Sequence, residues 1–587
     1  FMGGTTGVFY RQFGLTMAVA VGISLINAMT LSPALCALIL TPHGEKTDVG
    51  KRSFSTRFHD GFDRIFLRLS SRYVRGVAWM LRHKWLTGLL VIIASCGLAW
   101  LLTNTKTGLV PAEDMSSVNI DVQMPPGTNL STTMKMMEEI DRRVRDIPQI
   151  EIYSRTAGFG SITGQSVTAG TFDIRLKNWK YRTGKDDDIQ AVIAEIYRRT
   201  ADITSAKIQV FTRGMIPGYG ATNGFELYVQ DHNGGEVENL KEITFNFLEQ
   251  LNKRPEISRA TTSFDTKYPQ YSVEVDAAAC KRNGVSPSDV LDALSGYIGG
   301  SYASNLNKFS KLYRVMVQAS PEFRLDTHAL SSMFVRNADG EMSPISQYIT
   351  VERVFGTESL SRFNLFPAIR VNGNAARGYS SGQAIAAVKE VASQTLPMGY
   401  GFEFSGMARE EASSGADTLT IFVICVVFIY LILCSLYESL FIPIAVIVSV
   451  PFGLAGSLLF ANLSGLENNI YLQVGLLMLI GMLAKTAILL TEYASERRRA
   501  GMSIVAAALS AARVRLRPIL MTSLTLIFGM LPMAFASGVG ANGNKSIGIG
   551  TCGGMAIGVL ALLFLVPVLF VVFQWLEEKL MPRRKRQ

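Results

Sequence analysis

Lys485 stands in the middle of the apolar run Tyr-Leu-Gln-Val-Gly-Leu-Leu-Met-Leu-Ile-Gly-Met-Leu-Ala-Lys-Thr-Ala-Ile-Leu-Leu that begins at Tyr471, and no other charge falls between Glu467 and Glu492. A segment that long and that apolar predicts a membrane-spanning helix. A lysine near its centre costs roughly 2.5–3.5 kcal/mol on the lenient insertion scale. Something must hold it there, and movement of protons or ions is the chemistry such a group suits. A lysine that snorkels to the interface is the bland alternative, but apolar residues flank Lys485 on both sides. Further along, Arg513, Arg515 and Arg517 precede Pro518-Ile519-Leu520-Met521-Thr522-Ser523. For Arg513 and Arg517 a positive-inside anchor is explanation enough. Arg515 could also reach an acidic site in the membrane, and the Thr522 hydroxyl, one turn past Pro518, could relay a proton.

The apolar runs hold Lys485 but no interior Asp or Glu. A buried cation wants a carboxylate, so its partner is expected from another chain or from a preceding half of the protein. The opening Phe1-Met2-Gly3-Gly4, with no obvious initiator and no secretory leader, fits the second expectation.

Other constellations carry less. Gly548-Ile549-Gly550-Thr551-Cys552-Gly553 matches a dinucleotide fingerprint, but no strand precedes it and it opens an apolar helix, so close helix packing explains it better. No Gly-Lys-Thr phosphate loop occurs, which speaks against ATP as the driving force. The five histidines are scattered without ligand spacing. Most of the 23 methionines fall in apolar segments, where they fill gaps.

The elements that must position these residues follow from patterning. The chain has 587 residues, 48% hydrophobic, with mean hydropathy +0.24 and net charge +10, which predicts mixed membrane and water-exposed parts. Basic residues cluster beside apolar runs, which points to membrane topology and away from nucleic acid. Seven runs can span a bilayer: 13–40, 85–102, 418–437, 441–463, 470–493, 518–537 and 547–575. Three basic groups fall on one side when crossings are counted: Lys51 to Lys84, Arg497 to Arg517, and Arg583 to Arg586. That side is cytoplasmic.

The same count puts a block from about residue 103 to 417 outside, far too large for a loop. Cys280 is alone there, so the block folds without an internal disulfide. Strand, helix and strand recur at 118–124, 130–146 and 150–156, then at 171–176, 188–200 and 207–212. This is the split βαβ, ferredoxin-like order. A second, interrupted unit is expected from 225–230, 239–252 and 257–263 with 368–371, 381–394 and 401–405. The insert between them has its own strands and a helix at 286–295, and reads as a small docking or interaction module. The stretch Gly158 to Gly164, which carries Phe159, reads as a connection between two strands, with a mobile gate as the alternative.

At this point the chain resembles the resistance–nodulation–division (RND) transporters, specifically the second half of a hydrophobe/amphiphile multidrug efflux pump. The resemblance covers essentially the whole chain. It is carried by Tyr10-Arg11-Gln12-Phe13 with Leu31-Ser32-Pro33-Ala34-Leu35-Cys36, and by Leu436-Tyr437-Glu438-Ser439 with Ile442-Pro443. Gln473-Val474-Gly475-Leu476-Leu477 with Ala484-Lys485-Thr486-Ala487-Ile488-Leu489, and Arg515 through Ser523, complete it. The implied fold is an α-helical membrane bundle plus a large α+β periplasmic region, with ferredoxin-like porter subdomains and a docking insert.

On that basis residues 1–40 form a transmembrane helix, 41–84 a cytoplasmic amphipathic linker and 85–102 a second membrane helix. Residues 103–216 form the first porter subdomain, 217–266 with 366–415 the second, and 267–365 the docking insert. Residues 416–580 supply five membrane helices and 581–587 a basic cytoplasmic tail.

The resemblance implies a homotrimer in the inner membrane of a Gram-negative cell, exporting amphiphilic small molecules with a periplasmic adaptor and an outer-membrane channel. It implies proton-motive force and no cofactor. In the family, the residues matched by Lys485 and Arg515 work with an aspartate pair on a helix outside this sequence, and that matched by Thr522 assists. Proton uptake by the aspartates frees the lysine, helices shift, and the porter domains cycle among three states. Phe159 falls where the family has a pocket-dividing switch loop, and Phe211 where an aromatic lines the pocket by which substrates enter. Here Ser161 replaces a second aromatic, the loop is one residue longer, and Arg213 stands where an aromatic is common.

Heavy-metal efflux by a related branch is the rival within transporters; Met124, Met134, Met136, Met137 and Met215 form no clear triad for it. A non-transporting membrane scaffold is the rival from another class. An enzyme fits least, since no nucleophile–base or metal constellation is present.

Overall fold

The computed structural model describes residues 3–39, 54–182 and 184–580. The first part of the linker, 40–53, and the basic tail, 581–587, lie outside the described residues. Among those described, seven helical segments are long and apolar enough to cross a membrane, in the places the hydropathy runs predict.

The chain opens with α1 (Gly4–Met29) and α2 (Leu31–Ile39), followed by α3 (Phe54–Arg82) and α4 (Lys84–Asn104). The expected single helix over 1–40 is broken at Thr30. Pro33 cannot donate a backbone bond, and its ring crowds the carbonyl four residues back, at Met29. A block rich in strands follows: β1 (Ser117–Gln123), α5 (Leu130–Val144), β2 (Ile150–Gly160), β3 (Gly164–Leu176), α6 (Ile189–Thr200) and β4 (Lys207–Phe211). Next come β5 (Phe225–Asp231), α7 (Val237–Asn252) and β6 (Ile257–Thr261).

The middle stretch holds β7 (Tyr268–Val275), α8 (Ala277–Arg282), α9 (Pro287–Leu294), β8 (Ser301–Lys308), β9 (Lys311–Val317), β10 (Phe334–Arg336), β11 (Met342–Pro344) and β12 (Ile349–Gly356). Then come β13 (Ser361–Phe363), β14 (Phe366–Ala375), α10 (Ser381–Thr395) and β15 (Tyr400–Ser405). The chain returns to apolar helices with α11 (Gly406–Tyr437), α12 (Ile442–Ile447), α13 (Val450–Leu463), α14 (Ile470–Arg499), α15 (Ile504–Ala534) and α16 (Ala541–Leu580).

Two compact units emerge: one of residues 1–123, 134–263 and 362–587, the other of Met124–Thr133 and Phe264–Ser361. In the larger unit two antiparallel sheets share one plan. The first runs β2–β3–β1–β4, and the second places β6, β14, β5 and β15 in the corresponding order, with β13 beyond β14 on the path. Each sheet is covered by helices that alternate with its strands in sequence. Val118, Ile120 and Val122 of β1 pack with Met137 and Ile140 of α5 and Val192 and Ile196 of α6. The period-2 pattern of the strand and the 3.6-residue stripe of the helices put these residues on facing surfaces.

The smaller unit has its own core around Cys280, Val290, Leu294, Val335, Ile345 and Tyr348. Its strands β7 and β12 pair over their full length, and β8–β9 is an exposed hairpin.

In the membrane bundle α14 and α16 form the buried centre. α16 approaches its neighbours through glycine: a Cβ on Gly550 would overlap Leu472, and one on Gly553 would overlap Phe460. The dinucleotide-like motif is thus a packing seam, where small residues let helices come close enough for dispersion contacts. The motif Tyr437-Glu438-Ser439 turns the chain between α11 and α12. Glu438 takes a left-handed conformation at φ 51°, and the Ser439 hydroxyl accepts from the N–H groups of Phe441 and Ile442 at 3.2 and 3.3 Å, capping the next helix.

Candidate functional site

Lys485 lies on α14, eight residues before Tyr493. Its side chain is exposed on the bundle surface and makes no hydrogen bond or salt bridge among the described residues. α15 runs antiparallel beside α14. The two are joined where the Arg515 guanidinium stacks on the Tyr493 ring, 4.9 Å from its centroid. Arg497 covers the same ring at 4.9 Å and donates to the Tyr493 hydroxyl at 2.7 Å. Tyr493 is therefore held between two cations. Arg515 Nε is buried without a hydrogen-bond partner among the described residues, an arrangement that leaves donor capacity at that nitrogen.

Thr522 is exposed on α15, and its hydroxyl donates to the carbonyl of Pro518 at 3.0 Å. From the Arg515–Tyr493 contact, Thr522 lies seven residues along one helix and Lys485 eight along the other. At 1.5 Å per residue these are about 10 and 12 Å, so the two side chains reach similar depths in the bundle. The fold brings the three residues to one helix pair; it gives Lys485 no carboxylate among the described residues. Tyr493 was not legible as part of this group, because an aromatic near a helix end reads as an interfacial anchor.

Of the residues expected on a substrate path, Phe211 and Arg213 sit at the polar face of β1. Asn119, Asp121 and Gln123 alternate with the apolar residues of the core. Phe211 lies opposite Asn119 in the β1–β4 register and is buried. Arg213 donates to Asn119 Oδ1 at 3.2 Å and pairs with Asp173. Phe159 is 46% exposed, near the end of a long hairpin.

Here the structure differs from the expected loop over 158–164. β2 continues through Gly160 and β3 starts at Gly164, leaving only Ser161, Ile162 and Thr163 as the turn. Gly158 and Gly164 take φ of 89° and 83°, which glycine tolerates without steric penalty, and the register shifts between Ala157 and Phe159.

The turn is clamped from both sheets. The buried Asp121 carboxylate accepts from the Ser161 N–H at 2.9 Å and the Ile162 N–H at 2.7 Å. Arg370 of β14 donates to the Ile162 carbonyl at 3.2 Å and pairs with Glu226 at 2.7 Å. Beside the clamp is a polar cleft of about 10 Å³ lined by Gln123, Thr163, Gln209, Thr261 and Asn372. Sequence reasoning missed Asp121 and Arg370. On an alternating strand a polar residue reads as solvent-facing, and only the burial of both faces of β1 makes it a structural charge.

Compared with known proteins, residues 1–574 match the sequence profile of the AcrB/AcrD/AcrF family. The chain belongs to that family. Membership in this RND family bears out the resemblance read from the membrane motifs, and the spans make the chain a membrane protein.

Relatives within the AcrB/AcrD/AcrF family include the multidrug/solvent efflux pump membrane transporter MepB of Pseudomonas putida. It is 35% identical over 574 residues, 97% of this chain and 54% of MepB. The solvent-resistant pump membrane transporter SrpB of the same species is 33% identical over 587 residues, 100% and 55% of the two chains. The multidrug export protein AcrF of Escherichia coli (strain K12) is 34% identical over 580 residues, 98% and 55%. The chain spans about half the length of the curated relatives it matches.

Proposed function

We propose that this chain is the C-terminal part of a proton-driven exporter of amphiphilic and hydrophobic compounds. The observation that carries the reading is Lys485: an uncompensated cation in a span of an efflux-pump family member. In hydrocarbon such a charge is tolerable only against a carboxylate or water, so a partner that gains and loses a proton would alternately release and hold it. Arg515, with free donor capacity at Nε, would act on the same acidic partner, and Thr522, at Lys485's depth, would pass or accept the proton. Relatives named for multidrug and solvent efflux favour this reading over metal export.

The two sheets sharing one strand order support ferredoxin-like porter subdomains, the second interrupted by the smaller unit as a docking insert. Phe159, Phe211 and Arg213 would line the substrate route, with the Asp121–Arg370 clamp setting where Phe159 stands. The working form would be a trimer in the inner membrane of a Gram-negative bacterium, coupled to a periplasmic adaptor and an outer-membrane channel. Replacing Lys485 by Ala in the full-length protein tests the reading. Accumulation of a fluorescent amphiphile in cells should rise to the level seen without the pump while the protein still assembles; retained efflux would refute it.

A further inference from the structure

The outer rim of the bundle carries a second group of charges that the proposed relay does not use. The segment Lys106–Leu109, which follows α4, is stitched to its neighbours by backbone bonds. Asn468 N–H donates to the Lys106 carbonyl at 2.7 Å, Gly108 N–H to Asn468 at 3.3 Å and Ile470 N–H to Leu109 at 3.1 Å. On the other side Gly382 N–H, in the first turn of α10, donates to the Thr107 carbonyl at 3.1 Å. The segment therefore joins the α13–α14 turn to α10.

Two carboxylates converge on it. Glu411 of α11 accepts from the Ser381 hydroxyl at 2.8 Å and from the Leu109 N–H. Glu467, in the α13–α14 turn, packs over Gly108: a Cβ there would stand 2.5 Å from Glu467 Oε2 and 3.3 Å from Ser381 Oγ. Behind them is a cavity of about 710 Å³ with mainly apolar walls, lined by Glu411 and residues of α4, α10, α11, α13 and α14.

The charges facing this pair are few among the described residues. Lys106 acts on Glu467 while its ammonium donates to the Gly378 carbonyl. Lys389 of α10 lines the same cavity. Glu410, beside Glu411, accepts from Thr5 of α1. The cavity faces of α4, α13 and α14 contribute apolar side chains and the Gln473 amide, with Asn468 from the turn. Burial pushes the Glu411 carboxyl up to about 7; the Ser381 hydroxyl opposes this, Glu467's charge adds to it, and the Leu109 amide opposes it. Burial also raises Glu467, against the pull of Lys106.

We infer that Glu411 and Glu467 form a proton-titrated latch between the membrane helices and α10. Holding one proton, the pair keeps α11, the α13–α14 turn and α10 together at Gly108. Losing it sets two like charges against one another in a half-buried site and loosens the joint. The inference deepens the efflux reading and rests on it for its physiological sense: proton supply at the outer face would govern how firmly the membrane helices grip the outer domain.

Hydrogen exchange at the Gly108 and Gly382 amides tests the latch, in the full-length membrane-embedded protein at pH 6 and 8, after correction for the intrinsic exchange rate. Opening should be about tenfold more frequent at pH 8. Glu411→Gln should remove that difference and Glu467→Gln should reduce it, an independent check if one variant folds poorly. Lys485→Ala should keep the difference whether or not transport survives, so failure of the latch and failure of the transport reading are separate outcomes. Opening that is independent of pH in the wild type, or a pH effect undiminished in both Gln variants, overturns the inference.

Discussion

Lys485 stands alone as a charge in the apolar stretch of a membrane helix, and Asp121 is the one charge on a strand buried on both faces. Asp121 has its carboxylate oxygens filled by two backbone N–H groups of the hairpin turn. Lys485 has no such partner among the described residues. Both positions disfavour charge, so the difference lies in compensation. A charge bonded by its own fold fixes geometry; a charge left open can respond to something that comes and goes.

The largest expected effect follows from the open charge. Lys485→Ala should abolish efflux in a whole-cell accumulation assay while leaving expression and assembly near wild type. Wild-type efflux would erase the contrast with Asp121. Asp121→Ala should do the reverse kind of damage. It orphans two amides, each costing about 1–3 kcal/mol when left unpaired, so exchange at Ser161 and Ile162 should rise at least tenfold. The membrane bundle should be untouched, and unchanged exchange would mean the clamp does not hold the turn.

Arg515→Ala is expected to impair efflux less completely than Lys485→Ala, because it removes an assisting cation and its stacking on Tyr493. Equal losses would merge the two roles.

The Glu411–Glu467 pair stands between the extremes, half compensated. Glu411 has its folded pKa raised to about 7 from an ordinary value near 4.5. Its contribution to stability is therefore fully present below the ordinary value and is lost as pH rises through about 7. The wild type should melt at a lower temperature at pH 8 than at pH 6, and Glu411→Gln should narrow that gap. An unaltered gap would remove Glu411 as its source. The smallest effect is expected from Tyr493→Phe, which keeps the ring between Arg497 and Arg515 and loses only the hydroxyl bond. Efflux within about twofold of wild type would show that stacking, rather than the hydroxyl, matters at that helix pair.

Much of the fold was legible. β1 and α5 were readable because Val118, Ile120 and Val122 alternate with polar residues and Leu130 begins an amphipathic stripe. Each pattern depends only on local periodicity. The breaks at Thr30 and between α12 and α13 were not read, although Pro33 and Pro451 mark them, because hydropathy averages over a window and ignores one lost donor. In the candidate site Lys485 announced itself by contrast with its neighbours. Asp121, Arg370 and Glu411 did not, since each lies in sequence that also suits a solvent-facing position.

The sequence by itself determined the membrane spans, the doubled strand–helix order of the outer block and the anomalous lysine. Each is a matter of residue type and short-range spacing. Only the tertiary structure decided that Arg515 meets Tyr493, that Asp121 and Arg370 clamp one turn from two sheets, and that Glu411 and Glu467 meet at Gly108. These pairs lie from 22 to 249 residues apart. Whether a charge is satisfied depends on what packs against it, which no local pattern specifies.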